Sequence, residues 1–150
     1  MPPLFHSPVI DHGSNALIPA GVTTDQRGLP RIVGGTVDIG ADEAQATTQV
    51  AFPYAISGGT VNNPISALAI VVEDASGNIA TTNDSTVTLT IASGPAGARI
   101  DGTLTSVTAS IINGVAVFKN LSFSKAGVYT LEALDSPLTS AFSKKFTITV

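Results

Sequence analysis

Three groups of residues have the types and spacing to do chemistry. Glu73, Asp74, Asn78 and Asp84 gather oxygen ligands around one turn, the donor set that Ca²⁺ prefers. The same Asp-Ala-Ser-Gly-Asn run is also what a tight turn selects, because Asp and Asn bond back to local backbone, and no EF-hand spacing accompanies it. Calcium at Asp74, Asn78 and Asp84 is therefore the weaker expectation, and no other cofactor is indicated. His6, Asp11 and His12 offer imidazole and carboxylate ligands. They lie in a turn-rich end with no further ligand at fixed spacing, so solvated surface groups are expected there. Asp25, Arg27 and Arg31 form the third group, charges in an otherwise weakly charged stretch. An ion pair or side-chain-to-backbone lock across an irregular loop is the reading preferred to a catalytic one.

Catalysis by general acids and bases needs paired carboxylates or a histidine in a pocket. The carboxylates fall in scattered turns, and both histidines precede residue 13. No Gly-rich loop precedes a helix in the manner of a phosphate cradle. The chain is therefore expected not to be an enzyme, with no catalytic residues. Seven basic residues, scattered through a chain of net charge −4, cannot supply the cationic face that nucleic acid requires. With no cysteine, disulfides and thiolate metal sites are excluded.

The elements that must position these groups are strands and turns. Hydrophobic residues make up 43% and charged residues 12%, a balance too apolar for disorder. The longest clear apolar run, Ala67 to Val72, is strand-sized and far short of a membrane span, so no membrane insertion is expected. The chain divides into residues 1–45 and 46–150. Prolines and glycines punctuate the first part every few residues, leaving apolar clusters too short to bury a core of their own. Its first dozen residues are expected to be the least ordered.

The second part alternates with period two. Thr86, Thr88 and Thr90 interleave with Val87, Leu89 and Ile91, a half-buried strand. Asn113-Gly114 is a hairpin turn signal because both residues tolerate positive φ. Tyr129, Leu131 and Ala133 alternate, as do Phe146 and Ile148. About seven short strands follow, and the expected architecture is an antiparallel β-sandwich. Its core is expected from Leu68, Ile70, Val72, Val87, Leu89, Ile91, Phe118, Leu121, Tyr129, Leu131, Phe146 and Ile148. Tyr129, at the start of the penultimate strand, is placed to return its hydroxyl to nearby backbone as a tyrosine corner. Phe52 and Tyr54 are the aromatic pair outside the clear core strands, and an exposed aromatic platform is not otherwise evident.

Resemblances sharpen this outline. His6-Ser7-Pro8-Val9-Ile10-Asp11-His12-Gly13, Thr24 to Arg31 and Val37 to Glu43 resemble, in order, the signature that ends the right-handed parallel β-helix of many large bacterial secreted and surface proteins. Ile70 to Asn78, Gly114 to Phe118, Leu121 and Ala126 to Leu131 are similar to bacterial immunoglobulin-like repeats. Arg31-Ile32-Val33-Gly34-Gly35 resembles the activation site of trypsin-like proteases, but no serine protease triad can follow it, since no histidine does. Gly34-Gly35 is expected to turn the chain between two short strands.

These resemblances imply a fragment of a long secreted or cell-surface bacterial protein, its signal peptide elsewhere. A non-catalytic spacer or adhesion module is the expected function. Neighbouring repeats of the same chain are the expected partners, with cell-surface or matrix glycans or proteins beyond them. The alternative is a carbohydrate-binding accessory module of a β-helix polysaccharide-degrading enzyme.

Overall fold

The computed structural model describes residues 7–44, 46–74, 77–81 and 83–150. The fold is all-β: apart from one 3-10 turn at Asn15–Leu17, its regular elements are strands. Nine occur among the described residues: β1 (Gln49–Ala51), β2 (Gly59–Thr60), β3 (Leu68–Glu73), β4 (Thr86–Ser93), β5 (Ser106–Ile112), β6 (Val115–Phe118), β7 (Gly127–Leu134), β8 (Ala141–Phe142) and β9 (Phe146–Thr149). No described helix is long and apolar enough to cross a membrane.

Alternation dictates the strand faces. Val87 and Leu89 of β4 are buried, while Thr88 and Thr90 point outward and keep partial contact with water. Tyr129, Leu131 and Ala133 of β7 and Phe146 and Ile148 of β9 turn inward in the same way. Hydrogen bonding joins the strands in the order β1-β3-β6-β5-β4-β7-β9-β2, with β8 on the side of β7. Every strand pair is antiparallel except β2 with β9. β5 serves two neighbours in succession: Ser106–Ser110 pair with β4, and Ile111 and Ile112 pair with β6.

The sheet curls over one apolar interior. Phe123, Tyr129 and Phe146 form its aromatic centre, with ring centroids 4.8 to 5.8 Å apart. Burying a side chain of this size stabilises the fold by roughly 1.5–3 kcal/mol. Of the twelve expected core residues, eleven are buried. Ile91 is only half-buried, packed at the core's edge. The β4–β7 register shifts between Ile91 and Ser93, which turns the end of the strand away from the interior.

The β5–β6 hairpin turns at Asn113 and Gly114, with φ of 53° and 79°. Gly114 is also fixed by space, since a Cβ there would lie 2.5 Å from Ile79 Cγ2 and 3.0 Å from the Ala80 carbonyl. Tyr129 donates its hydroxyl to the Lys125 carbonyl at 2.7 Å, the corner expected from its position.

Residues 7–44 are irregular and turn-rich, without the short strands expected around Gly34-Gly35. Gly34 and Gly35 do turn the chain, both at positive φ, but no strands flank them. An isolated bridge between Thr24 and Pro30 is the only β pairing described there. The physical reason lies in the partners of the backbone amides, which are side-chain carboxylates.

Candidate functional site

Seven backbone amides of the N-terminal segment are hydrogen-bonded by three carboxylates rather than by neighbouring strands. Asp25 accepts from the Arg27, Leu29 and Glu43 amides at 2.8, 3.1 and 3.1 Å. Glu43, fully buried, accepts from the Val33 and Asp38 amides, both at 2.9 Å. Asp38 accepts from the Asp11 and Ala44 amides at 2.8 and 2.6 Å. Asn15 adds a fourth clamp, accepting from the Val37 amide at 2.8 Å and donating to the Gly35 carbonyl at 2.9 Å. A chain too broken by Pro and Gly to form a ladder thus satisfies its buried amides with side-chain oxygens.

Two arginines close the network. Arg27 grips Asp25 Oδ2 through Nε and Nη2 at 2.9 and 2.6 Å, and Nη2 also donates to the Glu43 carbonyl at 2.5 Å. Arg31 donates to Glu43 Oε2 at 3.4 Å and to the Gly40 carbonyl at 2.7 Å. Asp42 lies 3.6 Å from Arg27 Nε. The lock expected of Asp25, Arg27 and Arg31 is therefore present. Sequence reasoning missed its largest members, Asp38 and Glu43. Their signal was two more acids in a segment with few charges, which spacing along an irregular chain could not assign. Among the described residues, no hydrogen bond passes from 7–44 to 46–150.

Burial pushes the Asp25 carboxyl up, but the Glu43 amide, the Arg27 guanidinium and the Arg27 and Leu29 amides outweigh it and hold the group below its ordinary value. Glu43 moves the other way. Burial raises it, and the amides of Asp38 and Val33 do not offset this, with the Asp38 charge raising it and the Arg31 charge lowering it further. The sign for Asp25 follows from linkage. A lowered folded pKa gives stability that is present above the unfolded value of 3.8 and is lost as pH falls through the folded value. Acid titration followed by amide exchange is expected to release the Arg27 and Leu29 amides below about pH 3.8, and Asp25→Asn is expected to remove that pH dependence. Equal pH dependence of both amides in the parent protein and in Asp25→Asn would refute it.

The calcium candidates do not converge. Asp74 is engaged by Asn78, whose backbone amide donates at 2.9 Å and whose side-chain Nδ2 donates to Oδ2 at 3.1 Å. The Gly77 amide reaches the Asp74 carbonyl at 3.1 Å. This is the turn chemistry of an Asx loop, with donors rather than a cation at the carboxylate. Asp84 is exposed and shares no described hydrogen bond with either residue. Among the described residues no three acids or histidines are grouped to hold a metal. His6 lies outside the described residues, and His12 is exposed, its Nδ1 2.5 Å from the Ile10 carbonyl. Adding Ca²⁺ or a chelator is expected to leave the melting midpoint unchanged; a rise of several degrees with Ca²⁺ would restore the ion site.

A second feature was only half visible beforehand. Tyr54 is 78% exposed and Phe142 61% exposed. With Phe52, half-buried, they line one groove of about 240 Å³ whose charged member is Lys144. A second groove of about 240 Å³ shares Tyr54 and carries Ser57 and Ser66. Phe118, Phe123, Tyr129 and Phe146 are buried in the core, but the expectation that no exposed aromatic platform exists beyond Phe52 and Tyr54 is corrected, since Phe142 joins them. The three other described rings gather at one place. A larger cleft of about 350 Å³ lies between the segment and the loops before β1 and β4 and after β7, walled by Ile10, Val33, Pro137 and Leu138.

Fold and sites together define an all-β chain whose buried charges hold its own backbone and whose exposed rings share a groove. No family model and no curated protein matches the chain. Among solved structures it is similar to a glycosyl hydrolase family 2 member from Bacteroides cellulosilyticus, with 17% identity and a TM-score of 0.49. That similarity covers 81% of this chain and 17% of the other, so the chain spans less than a fifth of the length of the protein it matches.

Proposed function

We propose that the chain is a non-catalytic structural module, a spacer or adhesion unit of a large secreted or cell-surface bacterial protein. Residues 46–150 serve as an immunoglobulin-like sandwich, and residues 1–45 as the terminal segment of a β-helix. The strand order supports the first assignment: one sheet, β1-β3-β6-β5-β4-β7-β9-β2, curls over a single core with β5 shared between its two halves, as the layers of such a sandwich would share it, and Tyr129 makes its corner bond near the start of β7. The carboxylates of the N-terminal segment support a structural role, since Asp25, Asp38 and Glu43 are each held by two or more backbone amides.

The observation that carries the spacer reading is the parallel pairing of β2 with β9, Gly59 opposite Ile148 and Thr60 opposite Thr149. Tension applied at the two ends of the sandwich pulls these strands past each other. Their bonds, with the Val61 amide to the Thr149 carbonyl at 2.9 Å, then share the load instead of opening one by one. Single-molecule stretching of a tandem array is expected to give one force peak per module and a gain of about 300–350 Å for residues 46–150. Val61→Pro removes that amide donor and is expected to lower the peak force. Gradual lengthening without peaks would overturn the reading.

One observation favours a second reading, a carbohydrate-binding accessory module. It is the placement of Tyr54 and Phe142 on one open groove, since flat exposed rings offer an apolar face to the C–H side of a sugar.

A further inference from the structure

We propose that the paired grooves on either side of Tyr54 bind an acidic polysaccharide, with sugar rings stacked on Tyr54 and Phe142 and uronate carboxylates facing Lys144. The inference rests on the carbohydrate-binding reading and adds the site and the ligand class. Three observations carry it.

The first is the concentration of rings. Every described aromatic residue outside the core lines this place, and two of the three are mostly in water. Leaving large apolar surface exposed is unfavourable for the free protein, and contiguous exposed rings mark contact surfaces. The second is length. Tyr54 lines both grooves, and Ser57 and Ser66 place hydroxyls beyond it. A ligand crossing the ring would occupy a subsite on each side, which suits a chain of sugars better than a single one.

The third is charge. The chain carries a net charge of −4, yet neither groove is lined by Asp or Glu. Lys144 lines the first groove and is followed by Lys145, the one adjacent pair of basic residues in the sequence. Four other cations are engaged: Arg27 and Arg31 in the network, Lys125 on the Ala96 carbonyl at 2.6 Å, Arg99 on the Ala98 carbonyl at 3.0 Å; Lys119 lines neither groove. Among the described residues, Lys144 has no acid within ion-pair distance. Glu132 lies opposite Phe142 across the β7–β8 pair, outside both linings. An unpaired ammonium beside stacking rings complements a sugar that carries a carboxylate.

The test is calorimetric titration of the whole chain with polygalacturonate and with its fully methyl-esterified form, which keeps the sugar and removes the charge. Binding is expected for polygalacturonate, weakened by added salt and at least tenfold weaker for the ester. Tyr54→Ala and Phe142→Ala are each expected to weaken binding roughly tenfold. Lys144→Gln is expected to abolish the difference between the two polymers. All three positions are exposed, so an unchanged melting midpoint confirms that the variants fold. Equal binding of both polymers overturns the acidic ligand while leaving the carbohydrate-binding reading in place. Binding to neither of them, nor to a panel of neutral glucans, mannans and xylans, overturns both. Binding indifferent to both ring substitutions overturns the site.

Discussion

Tyr129→Ala is expected to lower the melting midpoint of the sandwich by roughly 15–30 °C, the largest single effect foreseen for this chain. The ring is fully buried between Phe123 and Phe146, with centroids 4.8 and 5.8 Å away. Truncation removes the ring and leaves a cavity among side chains that strands β7 and β9 hold in place. It also strands the Lys125 carbonyl, which accepts the hydroxyl at 2.7 Å. Truncations of this size cost about 3–5 kcal/mol. Tyr129→Phe separates the two contributions, because it keeps the ring and removes only the hydrogen bond. It is expected to cost about 1 kcal/mol. Thermal scans followed by circular dichroism measure both. A drop below about 5 °C for Tyr129→Ala would mean that the aromatic centre is not what holds the curled sheet closed.

The second large effect is expected at Glu43. Glu43→Ala leaves the Val33 and Asp38 amides without their acceptor and takes the carboxylate from Arg31. Each buried amide left without its acceptor costs about 1–3 kcal/mol, while Arg31 keeps the Gly40 carbonyl. Residues 7–44 have little apolar core to absorb such a loss, Val37 being their one buried hydrophobic side chain. Hydrogen exchange is expected to show the Val33 and Asp38 amides losing protection together with Arg27 and Leu29. The sandwich is expected to keep its melting midpoint, because no described hydrogen bond ties it to the segment. Glu43→Gln preserves one acceptor oxygen and should lose protection only in part. Intact protection in Glu43→Ala would show that the turns hold their shape without the carboxylate.

Legibility in the sequence varied with the length of the pattern. Thr86 to Ile91 spans enough residues for a period of two to be unambiguous, and β4 is where it was expected. Asn113-Gly114 needed no period at all, since the backbone angles of the hairpin select those residues. Tyr129 was readable from its place at the start of a strand. β2 and β8 were not readable: two residues cannot show a period, and β2 finds its partner about ninety residues away. β5 begins only at Ser106, because Leu104 bridges back to Ile100 instead of joining it. Phe142 shares β8's problem. Nothing local distinguishes it from Phe146, which faces the core, whereas pairing with Glu132 turns Phe142 to the outer face. The N-terminal lock was legible as a group of charges but not as a geometry. Its acceptors and amides lie up to 27 residues apart along a chain with no repeat.

β5 has a bearing on how the module fails. Because it hands over from β4 to β6 partway along its length, peeling either half of the sheet must disturb the strand that completes the other. Partial opening therefore gains little chain freedom before most of the pairing is gone, and the sandwich should come apart as a single event. Under load, the failure would then be all-or-none: unchanged until release, with the full slack freed at once.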